Sequence, residues 1–344
     1  MFEKKQSEDL LRTLEELGEV VDPVIEEILG LSVDEKFSEI VKYQLSAGGK
    51  RLRPALLLSA CYLLNGKTKY AIYPAAGIEI LHNYTLIIDD IIDNSYLRRG
   101  KPTLWKKLGK STAECVAMIY ASSIFQATQR SKNPILISEM FARGLKLVTE
   151  GEILDILYDR KEKENEPYIQ ENRFKEISLK DYLEMIMKKT AILFQLSCEI
   201  GGISANGSKE EVNALGGYGL NLGMAFQIQD DILDIFGDEK KLGKQIGKDI
   251  VEGKGGNIVI LLAIEKLKNK DKKELLDILS NKKILKRDIK RAIELIEKTN
   301  SKEMAEKMGE EYIKESKSFL EPLPKNEWHE LMNLLANFVI KRYK

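Results

Sequence analysis

Cysteine, histidine and proline are scarce in this 344-residue chain, and each scarcity closes off a class of protein. The three cysteines, Cys61, Cys115 and Cys198, include no Cys-x-x-Cys pair, which excludes a disulfide framework and a cysteine-ligated zinc site. Each lies in an apolar stretch, so buried free thiols in a reducing, cytoplasmic compartment are expected. Two histidines, His82 and His329, are too few for a histidine-rich metal centre. Eight prolines leave long segments free to be helical. Apolar runs such as Ile258–Ile264 fall far short of the ~20 residues a membrane span needs. The start, Met1-Phe2-Glu3-Lys4-Lys5-Gln6, has no apolar core of a signal peptide. Neither charge sign is in excess, with 54 Lys+Arg against 54 Asp+Glu, which argues against a whole-chain preference for nucleic acid or anionic membrane. Nucleotide loops are missing too: Gly217-Tyr218-Gly219-Leu220-Asn221-Leu222-Gly223 has the wrong spacing for a dinucleotide fingerprint, and Gly247-Lys248 is followed by Asp249 rather than Ser or Thr. The glycines from 216 to 223 read better as sites of close helix packing. No Ser/His/Asp or Cys/His set stands out.

What is abundant is Leu, Ile, Glu and Lys in helical periodicity, with 43% hydrophobic residues to supply a core. The pattern predicts helices over 6–30, 35–46, 54–65, 70–95, 111–130, 134–158, 178–204, 208–236, 256–268, 271–281, 285–299, 300–320 and 325–343, and a charged surface loop over 159–171. Alternating strand patterns, repeats and flexible linkers are not found. A single all-α domain over 1–344 is expected, with its sites built between facing helices.

Two acid clusters share one spacing. Asp89-Asp90-Ile91-Ile92-Asp93 follows Leu86-Ile87-Ile88, and Asp230-Asp231-Ile232-Leu233-Asp234 follows Phe226-Gln227-Ile228-Gln229. They lie 141 residues apart (230 minus 89). On a helix the first and last Asp of each cluster are i and i+4 neighbours on one face. Hard carboxylate oxygens of this kind suit Mg²⁺, which leaves its remaining positions to water and phosphate. A solvated acidic face is the plain alternative, but apolar flanks and an identical spacing twice over argue against it.

Cations sit where phosphate would be wanted. Ala47-Gly48-Gly49-Lys50-Arg51-Leu52-Arg53-Pro54 feeds a glycine loop and three cations into a helix start, an arrangement that favours an anion. Arg98-Arg99-Gly100-Lys101 follows the first acid cluster, and Gly243-Lys244, Gly247-Lys248-Asp249 and Gly253-Lys254 follow the second. Either set could pair with the acids or hold a diphosphate beside them. One member of Lys188-Lys189 before Thr190 is expected to be an ordinary surface lysine. His82, seven residues before Asp89, lies about 20° from it on the helix wheel and so on the same stripe.

With both clusters, the Gly-Gly-Lys-Arg-Leu-Arg-Pro loop and Arg98-Arg99-Gly100-Lys101-Pro102-Thr103 in order, the chain from about residue 40 onward resembles the trans-isoprenyl diphosphate synthases, and among them the archaeal-type geranylgeranyl diphosphate synthases. The resemblance implies a bundle of about ten core helices around a deep cavity, a homodimer, and Mg²⁺-dependent head-to-tail condensation of isopentenyl diphosphate with dimethylallyl, geranyl or farnesyl diphosphate. It implies that Asp89, Asp93 and Asp230 ligate three Mg²⁺ ions, with Asp90, Asp231 and Asp234 in support. Arg98, Lys189, Lys244 and Lys254 would grip the allylic diphosphate, and Lys50, Arg53, His82 and Arg99 the isopentenyl diphosphate. Thr190 and Gln227 would flank the developing allylic cation, and Lys341 and Arg342 would belong to a closing tail. Three positions depart from the family pattern: Ile88, Glu152 and Gly255-Gly256-Asn257.

Product length is expected at C20, because Tyr84 stands five residues before Asp89 and small Thr85 four before it, a family pattern that limits the growing chain. A farnesyl or longer-chain synthase is the near alternative. A class I terpene cyclase, which needs no isopentenyl site, and a non-catalytic subunit of a heteromeric synthase, which would tend to lose its acid clusters, are the distant ones.

Overall fold

A computed structural model describes residues 2–160, 166–238, 246–281 and 283–341. The architecture is all-α, as the periodicity requires, and among the described residues the one sheet is a ladder of two-residue strands, Leu97–Arg98 and Lys101–Pro102. Several expected segments differ in detail. The long first helix breaks into Phe2–Glu19 and Asp22–Gly30, with Pro23 in the opening turn of the second, where its missing N–H would have had no partner. The next helix is preceded by a 3-10 turn, Glu35–Phe37, before Ser38–Ser46. The expected loop over 159–171 contains a short helix, Pro167–Asn172, again begun by a proline; residues 161–165 lie outside the described residues.

The chain divides into two compact units. The first comprises residues 1–146, 192–220 and 316–338. Its centre is helix Leu52–Leu63, buried from Pro54 to Cys61, which packs on Ile192–Ser204 and on Thr68–Ile92; the latter packs in turn on Lys110–Gln129. Gly201 permits the closest of these crossings, since a Cβ there would lie 2.3 Å from the Leu57 carbonyl oxygen. The glycine run also packs closely: a Cβ at Gly216 would meet Glu199, at Gly217 Phe319, and at Gly219 the Phe194 carbonyl. Cys61 and Cys198 are buried free thiols as expected, but Cys115 is exposed, because its apolar neighbours occupy the other face of helix Lys110–Gln129.

The second unit comprises residues 147–191, 221–315 and 339–344. Its apolar centre is helix Ile258–Lys266, buried from Ile258 to Ile264. Asn257 caps it, accepting from the amides of Val259 (2.9 Å) and Ile260 (3.2 Å). Helix Leu179–Ile186 starts at a Ser178–Asp181 capping box and continues into a π turn, Met187–Ala191, before Ile192–Ser204. π turns insert one extra residue and often mark functional positions. This one carries Lys189 and Thr190, and Gly151 allows it: a Cβ on Gly151 would stand 2.3 Å from the Lys189 amide nitrogen and 2.7 Å from its Cα. Both obstacles are backbone and cannot swing aside. Gly151→Ala is therefore expected to cost about 1–3 kcal/mol by overpacking, read as a lower midpoint in chemical denaturation, and to displace Lys189 so that turnover falls as well.

Candidate active site

In the first unit, helix Thr68–Ile92 ends in the first acid cluster, and Asp93 closes it by donating its N–H to the Asp89 carbonyl (2.9 Å). Asn94, with φ of 50°, turns the chain out of the helix. The short ladder then pairs Leu97 with Pro102 and Arg98 with Lys101 across a two-residue turn, Arg99-Gly100, whose φ values of 52° and 76° are those of a type I′ hairpin. The hairpin returns Arg98 to the acids. Its Nε and Nη2 donate to the two Asp90 oxygens (2.8 Å each), and Nη2 reaches Asp89 Oδ2 at 3.1 Å. Burial alone would lower the Arg98 pKa, but Asp90 and Asp89 outweigh it and hold the cation charged. Asp90 is 2% exposed, whereas Asp89 and Asp93 are half-buried.

The Gly48–Pro54 loop meets the same hairpin. Arg99 donates to the Gly48 carbonyl, Lys101 to the Ser46 carbonyl, and Tyr43 to the Pro102 carbonyl (2.9 Å). Gly48 (φ 74°) and Arg51 (φ 46°) both take left-handed conformations to make the loop. Lys50 is exposed at its tip. Arg53 lies over the Phe194 ring (4.9 Å), and its Nη1 donates to His82 Nε2 at 3.2 Å, which puts the imidazole proton on Nδ1. Arg53 Nε is buried with no hydrogen-bond partner among the described residues. Burial and nearby Arg99 lower the Arg53 pKa to about 10 despite Glu79. Lys50, Arg53, His82 and Arg99 thus fall in one unit, and Arg53, His82 and Arg99 form a cluster whose charges call for an anion.

In the second unit, helix Lys209–Phe236 ends in the second cluster. Asp230 is half-buried; Asp231 and Asp234 are 4% and 5% exposed. Asp234 Oδ2 accepts from the Asp249 amide (3.0 Å). Both Asp231 oxygens accept hydrogen bonds, Oδ1 from Gln227 Nε2 (2.8 Å) and Oδ2 from Tyr182 (2.9 Å) and the Ile258 amide (2.9 Å). Thr190 donates to Gln227 Oε1 at 2.8 Å. Neither lysine is exposed as the sequence suggested for one of them: Lys188 pairs with the exposed acids Glu184 and Glu150, and Lys189 with largely buried ones. Its Nζ lies 2.6 Å from Asp155 and 2.8 Å from Glu152, and Lys254 Nζ lies 2.8 Å from the same Asp155 oxygen. Burial raises the Asp155 pKa, but Lys189 and Lys254 outweigh it and hold the carboxyl well below the usual range. Lys244 and Arg342 lie outside the described residues.

Sequence reasoning missed several anchors. Arg51 was counted among the loop cations, yet it is 8% exposed and joins Asp22 (2.7 Å) to Glu79 (3.0 Å), itself 4% exposed. Glu79 also accepts from Asn83 (3.0 Å) and lends its charge to Arg53 and Arg99. Asp155, Tyr182, Asp249 and Asn257 were missed as well. The available signal was an acid or tyrosine inside an apolar stretch, which needs a partner. The departures have local reasons: Glu152 pairs with Lys189, a Cβ at Gly255 would lie 2.3 Å from the Tyr158 carbonyl, and Asn257 both caps a helix and donates to Asp249 (2.7 Å). Ile88 is half-buried beside the cluster, and nothing in the structure explains this departure.

His82 provides a pH test. Burial, then Arg53 and the other guanidinium groups, hold its pKa well below the ordinary value, so it is neutral in the folded state. The unfolded chain takes up a proton as pH falls through about 6.5 while the folded chain does not. Stability from this group is therefore present at neutral pH and lost as pH falls. Between pH 7 and 5.5 the wild type should lose about 1 kcal/mol more than His82→Gln, measured by urea unfolding at each pH; parallel profiles would mean that His82 titrates normally.

No helix among the described residues is long and apolar enough to cross a membrane. The polyprenyl synthetase profile matches residues 34–296. The chain is 36% identical over 308 residues to a geranylgeranyl diphosphate synthase of Saccharolobus solfataricus, covering 87% of this chain and 88% of that one. It is 31% identical to a geranylfarnesyl diphosphate synthase of Natronomonas pharaonis, covering 95% and 96%. A crystal structure of geranylgeranyl pyrophosphate synthetase from Pyrococcus horikoshii superposes with a TM-score of 0.87 at 32% identity, covering 98% and 99%. The motifs, the all-helical fold and these likenesses agree: the chain belongs to the polyprenyl synthetase family and is a prenyltransferase.

Proposed function

We propose that this prenyltransferase condenses isopentenyl diphosphate head to tail with dimethylallyl, geranyl and farnesyl diphosphates and releases geranylgeranyl diphosphate, the C20 product. The observation that carries this reading is the cluster of Arg53, His82 and Arg99, with a buried guanidinium N–H lacking a partner among the described residues, on and beside the helix that ends in Asp89–Asp93. Such a cluster suits the diphosphate of a second substrate, which a cyclase would not need. The geranylgeranyl names of relatives support C20, and the geranylfarnesyl relative marks a longer product as the competing outcome.

The donor set fits a hard divalent cation. Each cluster offers carboxylate oxygens without thiolate or imidazole, and Asp89, Asp93 and Asp230 are the members that remain partly accessible. Among the described residues no three such side chains form a ready-made metal cage. Mg²⁺ commonly binds through one or two carboxylates plus phosphate and water. Asp89, Asp93 and Asp230 are assigned as ligands for three Mg²⁺, with Asp90 and Asp234 holding them in place. When bound, Mg²⁺ neutralises charge on the departing diphosphate.

Arg98, Lys189 and Lys254 bind the allylic diphosphate, with Lys244 assigned to the same task. As the allylic C–O bond breaks, its electron pair leaves with the diphosphate, and these cations stabilise the negative charge. Lys50, Arg53, His82 and Arg99 hold isopentenyl diphosphate so that its double bond supplies the pair for the new C–C bond. The oxygens of Thr190 and Gln227 lie beside the transient carbocation. The released diphosphate takes the proton that restores the double bond, so no side-chain base is required.

A cytoplasmic homodimer is part of the same reading. The exposed apolar side chains Met118, Phe125, Ile135 and Leu136, on helices Lys110–Gln129 and Pro134–Tyr158, support a self-association face. Tyr84, half-buried, and Thr85, whose hydroxyl donates to the His82 carbonyl (2.8 Å), are assigned to chain-length control.

Purified protein with Mg²⁺, labelled isopentenyl diphosphate and each allylic diphosphate should give a dominant C20 alcohol after product hydrolysis. Tyr84→Ala should shift that product to C25 or longer; an unchanged length would remove Tyr84 from this role. A C15 or longer wild-type product would keep the condensation and replace the C20 assignment. No elongation by folded protein would favour a non-catalytic subunit or a cyclase.

A further inference from the structure

We infer that Asp231, backed by the buried Tyr182, is a positioning residue that sets which way the Gln227 amide points, rather than a metal ligand of the second acid cluster. The inference rests on the prenyl synthase reading only for what Gln227 then does. The orientation itself follows from the hydrogen bonds.

Gln227 stands between an oxygen of Asp231 and the hydroxyl of Thr190, each at 2.8 Å. Nε2 is the end of the amide that faces Asp231 Oδ1, and an ionised carboxylate, which only accepts, favours that orientation. Burial and Asp249 raise the Asp231 pKa, while the bonds from the Ile258 amide, Gln227 and Tyr182 favour the ionised form. Oε1 is then turned to Thr190, whose hydroxyl donates to it. Reversing the amide would set two acceptors against each other at hydrogen-bond distance. Gln227 and Asp231 are i and i+4 on helix Lys209–Phe236, so the backbone holds the pair in register.

Asp231 cannot turn away to a cation without losing partners. Its Oδ2 receives the Tyr182 hydroxyl and the amide of Ile258, the first residue of the buried helix that Asn257 caps. Asn257 Nδ2 also approaches the Asp231 backbone carbonyl at 3.3 Å. Three elements thus converge on one carboxylate that is 4% exposed. Freeing it would leave a buried tyrosine hydroxyl and a buried helix-start amide without acceptors, an unfavourable outcome for both groups.

The consequence is chemical. With Nε2 tied to Asp231, the negative end of the Gln227 amide dipole points to the Thr190 side, next to Lys189 on the π turn. A fixed carbonyl dipole favours positive charge developing there without reorganising during the reaction. An amide free to flip would present N–H to the cation for part of the time.

The test uses full-length enzyme. Tyr182→Phe removes one donor and should lower kcat about 5-fold. Asp231→Asn can offer N–H to Gln227, lets the amide reverse, and should lower kcat about 10–100-fold. Neither should change KM for isopentenyl diphosphate. On a Gln227→Leu background, Asp231→Asn should cost nothing further, because Asp231 acts through Gln227; additive losses would instead mean a general structural role and would overturn the proposal. Mn²⁺ binding in the presence of inorganic diphosphate, followed by electron paramagnetic resonance, should be unaltered in Asp231→Asn and Tyr182→Phe but weakened in Asp230→Asn. Equal weakening in Asp231→Asn and Asp230→Asn would make Asp231 a ligand and end the proposal. If the Asn variant fails to fold, Tyr182→Phe carries the same comparison. The side-chain amide resonance of Gln227 in glutamine-labelled protein should shift in both variants. That readout needs no turnover, so a wild type that elongates nothing would sink the prenyl synthase reading while the resonance still decides the orientation.

Discussion

A carboxylate that ends a long apolar helix has to find donors or cations, because an ion stripped of water and left alone costs several kcal/mol. That constraint organises much of what surrounds the two acid clusters. Asp90 is met by Arg98, and the need to return that guanidinium explains the tight hairpin with two left-handed residues at its turn. Glu79 is met by Arg51 and Asn83, and Arg51 takes a left-handed backbone to reach it. Asp155 is met by Lys189 and Lys254, and Asp231 by Tyr182, Gln227 and a helix-start amide. The hairpin at Arg99-Gly100 and the left-handed turn at Arg51 are paths that donors take to buried acids.

The same pairs bear on ligand binding. Arg98, Lys189 and Lys254 are held at fixed places by carboxylates, so little side-chain freedom remains to be lost when an anion arrives. In the proposed reading, attraction to Asp155 competes with attraction to a diphosphate, and the acid would thereby set how tightly the two lysines bind it. Glu152 adds a second carboxylate to Lys189 and strengthens that competition. Arg53 is held differently: it has Phe194 beneath it and His82 beside it, and its buried Nε has no acceptor among the described residues. It is therefore the cation of this group with most to gain from an anion.

Much of the fold was legible because helix period and apolar content are local properties. Helix 134–158 was placed to the residue, and the ends of the two acid-bearing helices to within a few. What was not legible depended on partners distant in sequence. Arg51 sits in the same basic loop as Lys50 and Arg53, and nothing local says that its charge is consumed by Asp22 and Glu79 while Lys50 stays exposed. Lys188 and Lys189 are equivalent in sequence; the π turn separates them, sending one to surface acids and the other to Asp155. Cys115 was misplaced for a related reason, since apolar neighbours along the chain do not fix which face of a helix a residue occupies.

The glycines carry the complementary half of the argument. Gly151 and Gly255 sit where a Cβ would strike backbone, at Lys189 and at Tyr158 respectively. Both contacts lie beside residues that hold the Asp155 lysines: Gly151 faces the turn bearing Lys189, and Gly255 directly follows Lys254. Moving either backbone outward by even an ångström would lengthen Nζ–carboxylate distances that stand at 2.6 and 2.8 Å. The departure at Gly255-Gly256-Asn257 is therefore coherent as a unit. Small residues allow the approach, and the asparagine that follows caps the buried helix and ties Asp249, whose amide in turn holds Asp234. Close approach at Gly151 and Gly255 and charge pairing at Asp155 thus involve neighbouring backbone in this unit.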